Sequence, residues 1–204
     1  MEFQGFPKIK RLDREIIITE KIDGTNAQIA ITFDSTEVKA TPPTALVLSE
    51  VGPMYLFAGS RNRWITPDDD NFGFAAWVAD NCRELAQLGP GRHFGEWWGT
   101  GIQRGYGLKE RRFSLFNTER WANTPLVPCC SVVPVLYKGT LDVFDSDIVG
   151  TWLSILKDHG SLAAPGYMNP EGVIVYHTAA NVSFKKTFDD EHKSGVEASY
   201  GELM

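Results

Sequence analysis

The chain has 204 residues, 43% of them hydrophobic, which is enough to bury one substantial core in a single domain. No apolar run approaches the roughly 18 residues of a membrane span, and Met1-Glu2-Phe3-Gln4-Gly5 lacks the basic-then-apolar pattern of a secretory signal. The formal net charge of −6 excludes a uniformly basic nucleic-acid binder, although residues 1–120 are nearly balanced and the acidic excess lies in 121–204.

The first feature is a basic cluster, Lys8, Lys10, Arg11 and Arg14. The apolar run Ile16-Ile17-Ile18 then leads through Glu20-Lys21-Ile22 into the turn signal Asp23-Gly24, and Ala27 to Thr32 resumes with rough alternation. β-branched residues around Asp-Gly read as strand, turn, strand. Thr41-Pro42-Pro43-Thr44 marks a loop. Acidic Asp68-Asp69-Asp70 precedes a helix over Phe72 to Leu88, closed by Gly89-Pro90-Gly91. Strand-like runs follow at Arg92 to Trp98, Arg112 to Phe116 and Val132 to Tyr137, with a second basic cluster at Arg104, Lys109, Arg111 and Arg112. A second helix spans Asp145 to His159, with Ile148, Trp152, Ile155 and Leu156 on one face. Gly172 to Tyr176 and Val182 to Phe188 are the last strands. Such a series predicts an α+β architecture of antiparallel sheets with flanking helices. The three cysteines, Cys82, Cys129 and Cys130, form no C-x-x-C pair, so neither a zinc site nor a disulfide framework is expected, and a reducing cytoplasm fits.

Five segments carry chemistry. Lys21 on a strand end beside a tight turn is positioned for phosphate chemistry, provided that neighbours or a metal favour its neutral, nucleophilic form. Gly59-Ser60-Arg61-Asn62-Arg63-Trp64 sets two arginines on one side of an extended segment, where they can grip a phosphate or simply flank a buried Trp64. Phe94-Gly95-Glu96-Trp97-Trp98-Gly99 embeds a carboxylate among aromatics, which obliges it to find a partner such as a sugar hydroxyl, a metal or a cation. Phe113-Ser114-Leu115-Phe116-Asn117 offers aromatic faces, for the core or for stacking on a base. Pro170-Glu171-Gly172-Val173-Ile174-Val175 and Val182-Ser183-Phe184-Lys185-Lys186-Thr187 read as a hairpin with a carboxylate for Mg²⁺ and ammonium groups for phosphate.

In order, these segments resemble the covalent nucleotidyltransferase superfamily of polynucleotide ligases and mRNA capping enzymes, from Lys21 to about Lys193. DNA ligases and capping enzymes usually carry arginine two residues after the glycine of K-x-D-G. Here K-I-D-G-T-N places Asn26 there, which is similar to the RNA-ligase branch. The resemblance implies the ATP-grasp-like adenylation fold of ligases, with ATP and Mg²⁺ (or Mn²⁺) as cofactors. Lys21 would be the nucleophile that takes AMP from ATP, and Glu20 would lie where the family contacts adenine. Asp23 and Asn26 would arrange the metal, its waters and the phosphate. Arg61 would bind ATP and a 5′-phosphate, Glu96 the ribose, and Phe116 would stack on adenine. Glu171 would hold the metal, and Lys185 or Lys186 would contact the α-phosphate and favour neutral Lys21. The motif usually reads K-x-K at this last position, and Lys185 keeps its first place most naturally.

The implied activity is an ATP-dependent RNA ligase that self-adenylylates, transfers AMP to a 5′-phosphate end and seals it to a 3′-hydroxyl. Its partner would be nucleic acid, RNA first, with no membrane. The expected form is a monomeric, minimal nucleotidyltransferase domain without a C-terminal OB or accessory domain. Two rivals remain: a minimal DNA or RNA/DNA-hybrid nick ligase, and a catalytically silent nucleotide- or RNA-binding module on the same fold.

Overall fold

The computed structural model describes residues 1–38, 41–141 and 147–189. The chain packs as two compact units, one of Met1–Lys21 with Pro134–Met204 and the other of Ile22–Val133. The chain leaves the first unit after Lys21 and re-enters it at Pro134.

The first unit is built on a four-stranded antiparallel sheet of β1 (Glu15–Lys21), β9 (Val135–Thr140), β10 (Gly172–His177) and β11 (Val182–Thr187), in the order β11-β10-β1-β9. As a central strand, β1 needs apolar residues on both faces, and Ile16, Ile17 and Ile18 are all buried. Ile16, Ile18 and Val173 face a long helix, Ile148–His159, which packs Ile148, Val149, Trp152, Leu153 and Leu156 against them. The side chain of Asp147 caps this helix by accepting from Gly150 N–H at 2.8 Å. Asp145, the expected start, and Lys193, the end of the resemblance, lie outside the described residues.

The second unit holds a seven-stranded sheet in the order β3-β4-β2-β6-β7-β8, with β5 paired to β4. The strands are β2 (Thr25–Thr32), β3 (Ala45–Ser49), β4 (Gly52–Ser60), β5 (Trp64–Ile65), β6 (Gly91–Gly99), β7 (Arg111–Leu115) and β8 (Cys130–Val132). All pairings are antiparallel except β7 with β8. Among the described residues this unit also holds three short α-helices, so the α-helices run in chain order as α1 (Phe74–Asp80), α2 (Cys82–Leu85), α3 (Thr118–Trp121) and α4 (Ile148–His159). Phe74 is the hub of the larger core. Its ring centroid lies 5.3 Å from Trp97 and 5.1 Å from Phe113, with Trp77 stacked at 5.7 Å.

Several sequence expectations change in detail. The helix expected over Phe72–Leu88 breaks at Asn81, whose side-chain amide donates back to Trp77 O at 2.8 Å, and it ends as a 3-10 turn at Ala86–Leu88. Asp70 is the acidic cap, accepting from Ala75 and Ala76 N–H. The single strand expected over Val132–Tyr137 is two strands in different sheets, because Pro134 has no N–H to continue a ladder. β1 and β2 likewise belong to different sheets, so the Asp23-Gly24 turn joins two units and is not a hairpin. The β3–β4 hairpin had no counterpart in the sequence reading.

Truncating Phe74 to Ala removes a fully buried ring from a close-packed aromatic cluster. We expect a loss of about 3–5 kcal/mol in unfolding free energy, read from urea denaturation followed by tryptophan fluorescence.

Candidate active site

Lys21 ends β1, directly opposite Gly172 at the start of β10. Its Nζ lies 2.5 Å from Oε2 of Glu171, so residues 150 positions apart form a half-buried ion pair. Gly172 makes this register possible. Its φ of +149° and the closeness of Lys186 O to any added Cβ leave room for glycine alone.

The hairpin of β10 and β11 sorts the two lysines. Residues directly opposite across a sheet share a face, and alternate residues switch faces. The rows Lys21–Gly172–Thr187 and Thr19–Ile174–Lys185 therefore present one face, and Glu20–Val173–Lys186 the other. Lys185 shares the face of Lys21. Lys186 shares that of Val173, which packs toward α4.

Glu20 points its carboxylate away from that face into the protein, where it is 1% exposed. It accepts from the Ser161 hydroxyl at 2.5 Å and from the N–H groups of Leu162 and Ala163 at 2.8 and 2.9 Å. Its side chain therefore ties down the loop after α4. Burial pushes its carboxyl above the ordinary carboxylate value, and the three hydrogen bonds pull it partly back.

In the second unit, Glu96 organises the turn that follows Lys21. Its Oε1 accepts from Gly24 N–H at 3.2 Å and its Oε2 from the Asn26 amide at 3.0 Å. The partner that the sequence demanded for this carboxylate includes the K-x-D-G turn itself. Gly24 is required there by close approach, since a Cβ would meet Trp97 O and the Trp98 and Glu96 side chains within 2.5–3.0 Å. Asp23 donates its N–H to the Tyr106 hydroxyl at 2.8 Å, and its carboxylate accepts from Arg104 Nε at 3.0 Å.

The remaining candidates divide. Phe113 is fully buried in the core, whereas Phe116, just past β7, is 40% exposed on the opposite face of the sheet. Trp97 and Trp98 are both buried. The two arginines do not lie along an extended segment: Ser60 to Arg63 form a tight turn closed by Ser60 N–H to Arg63 O at 2.8 Å. Arg63 is spent on a bidentate pair with Asp69, while Arg61 is exposed at the turn. Among the described residues, no group of three or more His, Cys, Asp and Glu is arranged to hold a metal ion.

The RNA ligase family model matches residues 14–188, spanning every segment just described. The chain belongs to the RNA ligase family. Its fold is similar to that of Naegleria gruberi RNA ligase, with a TM-score of 0.54 at 17% identity to an apo variant and to a variant carrying ATP and Mn. A form of that enzyme with PPi gives a TM-score of 0.52, also at 17% identity. These matches cover 89–90% of this chain but only 51–52% of the Naegleria ligase, so the chain spans about half the length of those structures. At that identity the likeness establishes the fold. No curated protein matches the chain.

For this RNA ligase family member, the sequence placed Arg104 only in a basic cluster, without its tie to Asp23, and gave Tyr106 no role. Both sit in a glycine-rich turn where Gly101, Gly105, Gly107 and Tyr106 itself adopt positive φ. The signal was present as G-T-G-I-Q-R-G-Y-G, a stretch too rich in glycine to be strand or helix, directly after the Glu96 strand.

Glu20 provides a pH test. Its folded carboxyl titrates above its unfolded value, so its contribution favours the fold at low pH and is lost as pH rises from 4.5 through the raised folded value. Wild type should lose stability over that range faster than Glu20→Gln, as measured by urea melts at a series of pH values. Parallel curves would contradict the assignment.

Proposed function

We propose that the chain is an ATP-dependent RNA ligase that acts through a covalent Lys21–AMP adduct, with residues 14–188 as the adenylylating domain. The ion pair between Lys21 and Glu171 is the observation that carries this reading. It joins the K-x-D-G lysine to the E-G-V-I-V carboxylate, the two motifs that the resemblance to nucleotidyltransferases pairs, and family membership supports it.

In the first step, the ammonium of Lys21 gives up a proton, and the Nζ lone pair forms a bond to the α-phosphorus of ATP. The bond from that phosphorus to the pyrophosphate oxygen breaks, and the amine loses a second proton. A 5′-phosphate end then displaces Lys21 from the AMP, and a 3′-hydroxyl displaces AMP from the activated end. Positioning supplies much of the rate in such in-line displacements.

Each residue has a derived part. Glu171 holds Nζ through its ion pair and, as a hard oxygen donor, suits a divalent cation that takes its other ligands from water and phosphate. Such an ion, when bound, would supply charge neutralisation at the phosphates. Lys185 lies on the Lys21 face and suits the α-phosphate. Arg61, exposed at its turn, suits a phosphate, and Phe116 suits the adenine face. Glu96 and Asn26, already joined to each other, suit the ribose side. The Glu20 side chain is committed to the Ser161 loop, so any adenine contact at that position falls to its main chain.

Incubation with α-labelled ATP and Mg²⁺ should place label on the protein, and chelation of the metal should prevent it. Lys21→Ala should abolish labelling, and Glu171→Ala should reduce its rate by about 100-fold or more. Lys185→Ala should slow labelling more than Lys186→Ala. The reverse order would assign the phosphate contact to the other lysine, and labelling that survives Lys21→Ala would remove the nucleophile. A panel of nicked RNA, nicked DNA and single-stranded RNA then reads strand preference.

A further inference from the structure

The sheet face that carries Asn26 and Glu96 also carries a lateral row of large side chains. The register sets Phe94 of β6 opposite Gln28 of β2, Gln28 opposite Gly59 of β4, and Gly59 opposite Trp64 of β5. Phe116 extends the row on the other side, its N–H donating to Phe94 O at 2.9 Å. Five neighbouring positions, Trp64–Gly59–Gln28–Phe94–Phe116, thus cross the sheet. At about 4.8 Å per strand the row spans on the order of 19 Å.

Phe94 is 50% exposed and Phe116 40% exposed, side by side on a face where their neighbours Glu96 and Ser114 are buried. Adjacent exposed aromatics on a sheet are costly to keep in water and mark a contact surface. Gly59 keeps the row low, because Gln28 and the Trp64 ring close over the place where its Cβ would stand. The Gln28 amide oxygen, buried within the row, has no hydrogen-bond partner. Arg92 is exposed two positions before Phe94 on the same face of β6, its guanidinium 5.7 Å from the Trp64 ring centroid. Flat apolar rings beside a cation match a ligand with flat apolar faces and an anionic backbone.

We propose that the Phe94 position of this row, beside the adenine place left to Phe116, is a base-stacking platform for a single-stranded segment of the nucleic acid to be joined, with Phe94 beneath one base and Arg92 beside its backbone phosphate. The identification of that strand as ligase substrate rests on the function proposed above; the stacking chemistry does not. Aromatic side chains on adjacent strands of an open sheet stack successive unpaired bases and tolerate any sequence. Bases in a duplex are already stacked, so a duplex has little to gain from Phe94.

Fluorescence anisotropy with a short labelled, 5′-phosphorylated single-stranded RNA tests this on the full chain. Phe94→Ala should weaken binding about 5- to 100-fold, and Phe94→Trp should restore it. Arg92→Ala should reduce the slope of log affinity against log salt by about one. A blunt RNA duplex should be bound equally by wild type and Phe94→Ala. Unchanged single-strand affinity in Phe94→Ala would overturn the proposal. So would a loss of ATP-dependent labelling as large as the loss of RNA affinity, since Phe94 would then belong to the nucleotide pocket. If the wild-type chain takes no label from ATP yet shows Phe94-dependent RNA binding, the ligase reading fails and the platform stands.

Discussion

The antiparallel register of β1 against β10 is the constraint on which the rest of the arrangement depends. It sets Lys21 opposite Gly172 and so brings Glu171 within 2.5 Å of the Lys21 amine. A slip of one residue would turn every side chain of β1 to the other face. Lys21 would then point toward α4, and Glu20 would lose the Ser161 loop. Two devices guard against that slip. Ile16 and Ile18 are held in the α4 core, and the backbone at Gly172 fits no larger residue. Packing and backbone sterics thus hold the Lys21 amine in place, while the ion pair itself, half-buried, contributes little to holding the strands.

Glu96 plays the matching part in the second unit. A carboxylate among tryptophans is costly unless its oxygens are engaged. Glu96 engages both oxygens on the turn after Lys21, and Tyr106 and Arg104 fix Asp23 in the same turn. The lysine and the turn next to it are each organised by groups from within their own unit. Such preorganisation limits the reorganisation that the proposed nucleotide binding would require.

Much of this was legible in the sequence where local chemistry is strict. The Ile16-Ile17-Ile18 strand, the Glu171–Lys185 hairpin and the α4 helix follow from β-branched runs, turn residues and apolar spacing. The ordered motifs pointed to the family, which the profile match over residues 14–188 shows. What was hidden depends on long-range pairing. That β1 and β2 enter different sheets cannot be read from an Asp-Gly turn, which looks the same in a hairpin. The β3–β4 hairpin was missed although Met54, Leu56 and Ala58 alternate inward, because Leu46 and Leu48 are exposed and blur the pattern. Arg63 looked like a phosphate ligand because its partner Asp69 lies across a turn. The Arg104 and Tyr106 contacts lie more than 80 residues from Asp23 in sequence, and only folding brings them together.

The central claim is that Lys21, held by this register, is the residue that accepts AMP. Peptide mapping of the protein after reaction with ATP and Mg²⁺, under conditions that preserve a phosphoramidate, tests it directly. The account predicts a single modified peptide carrying the mass of one AMP residue on Lys21. AMP on any other residue, Lys185 included, would contradict it.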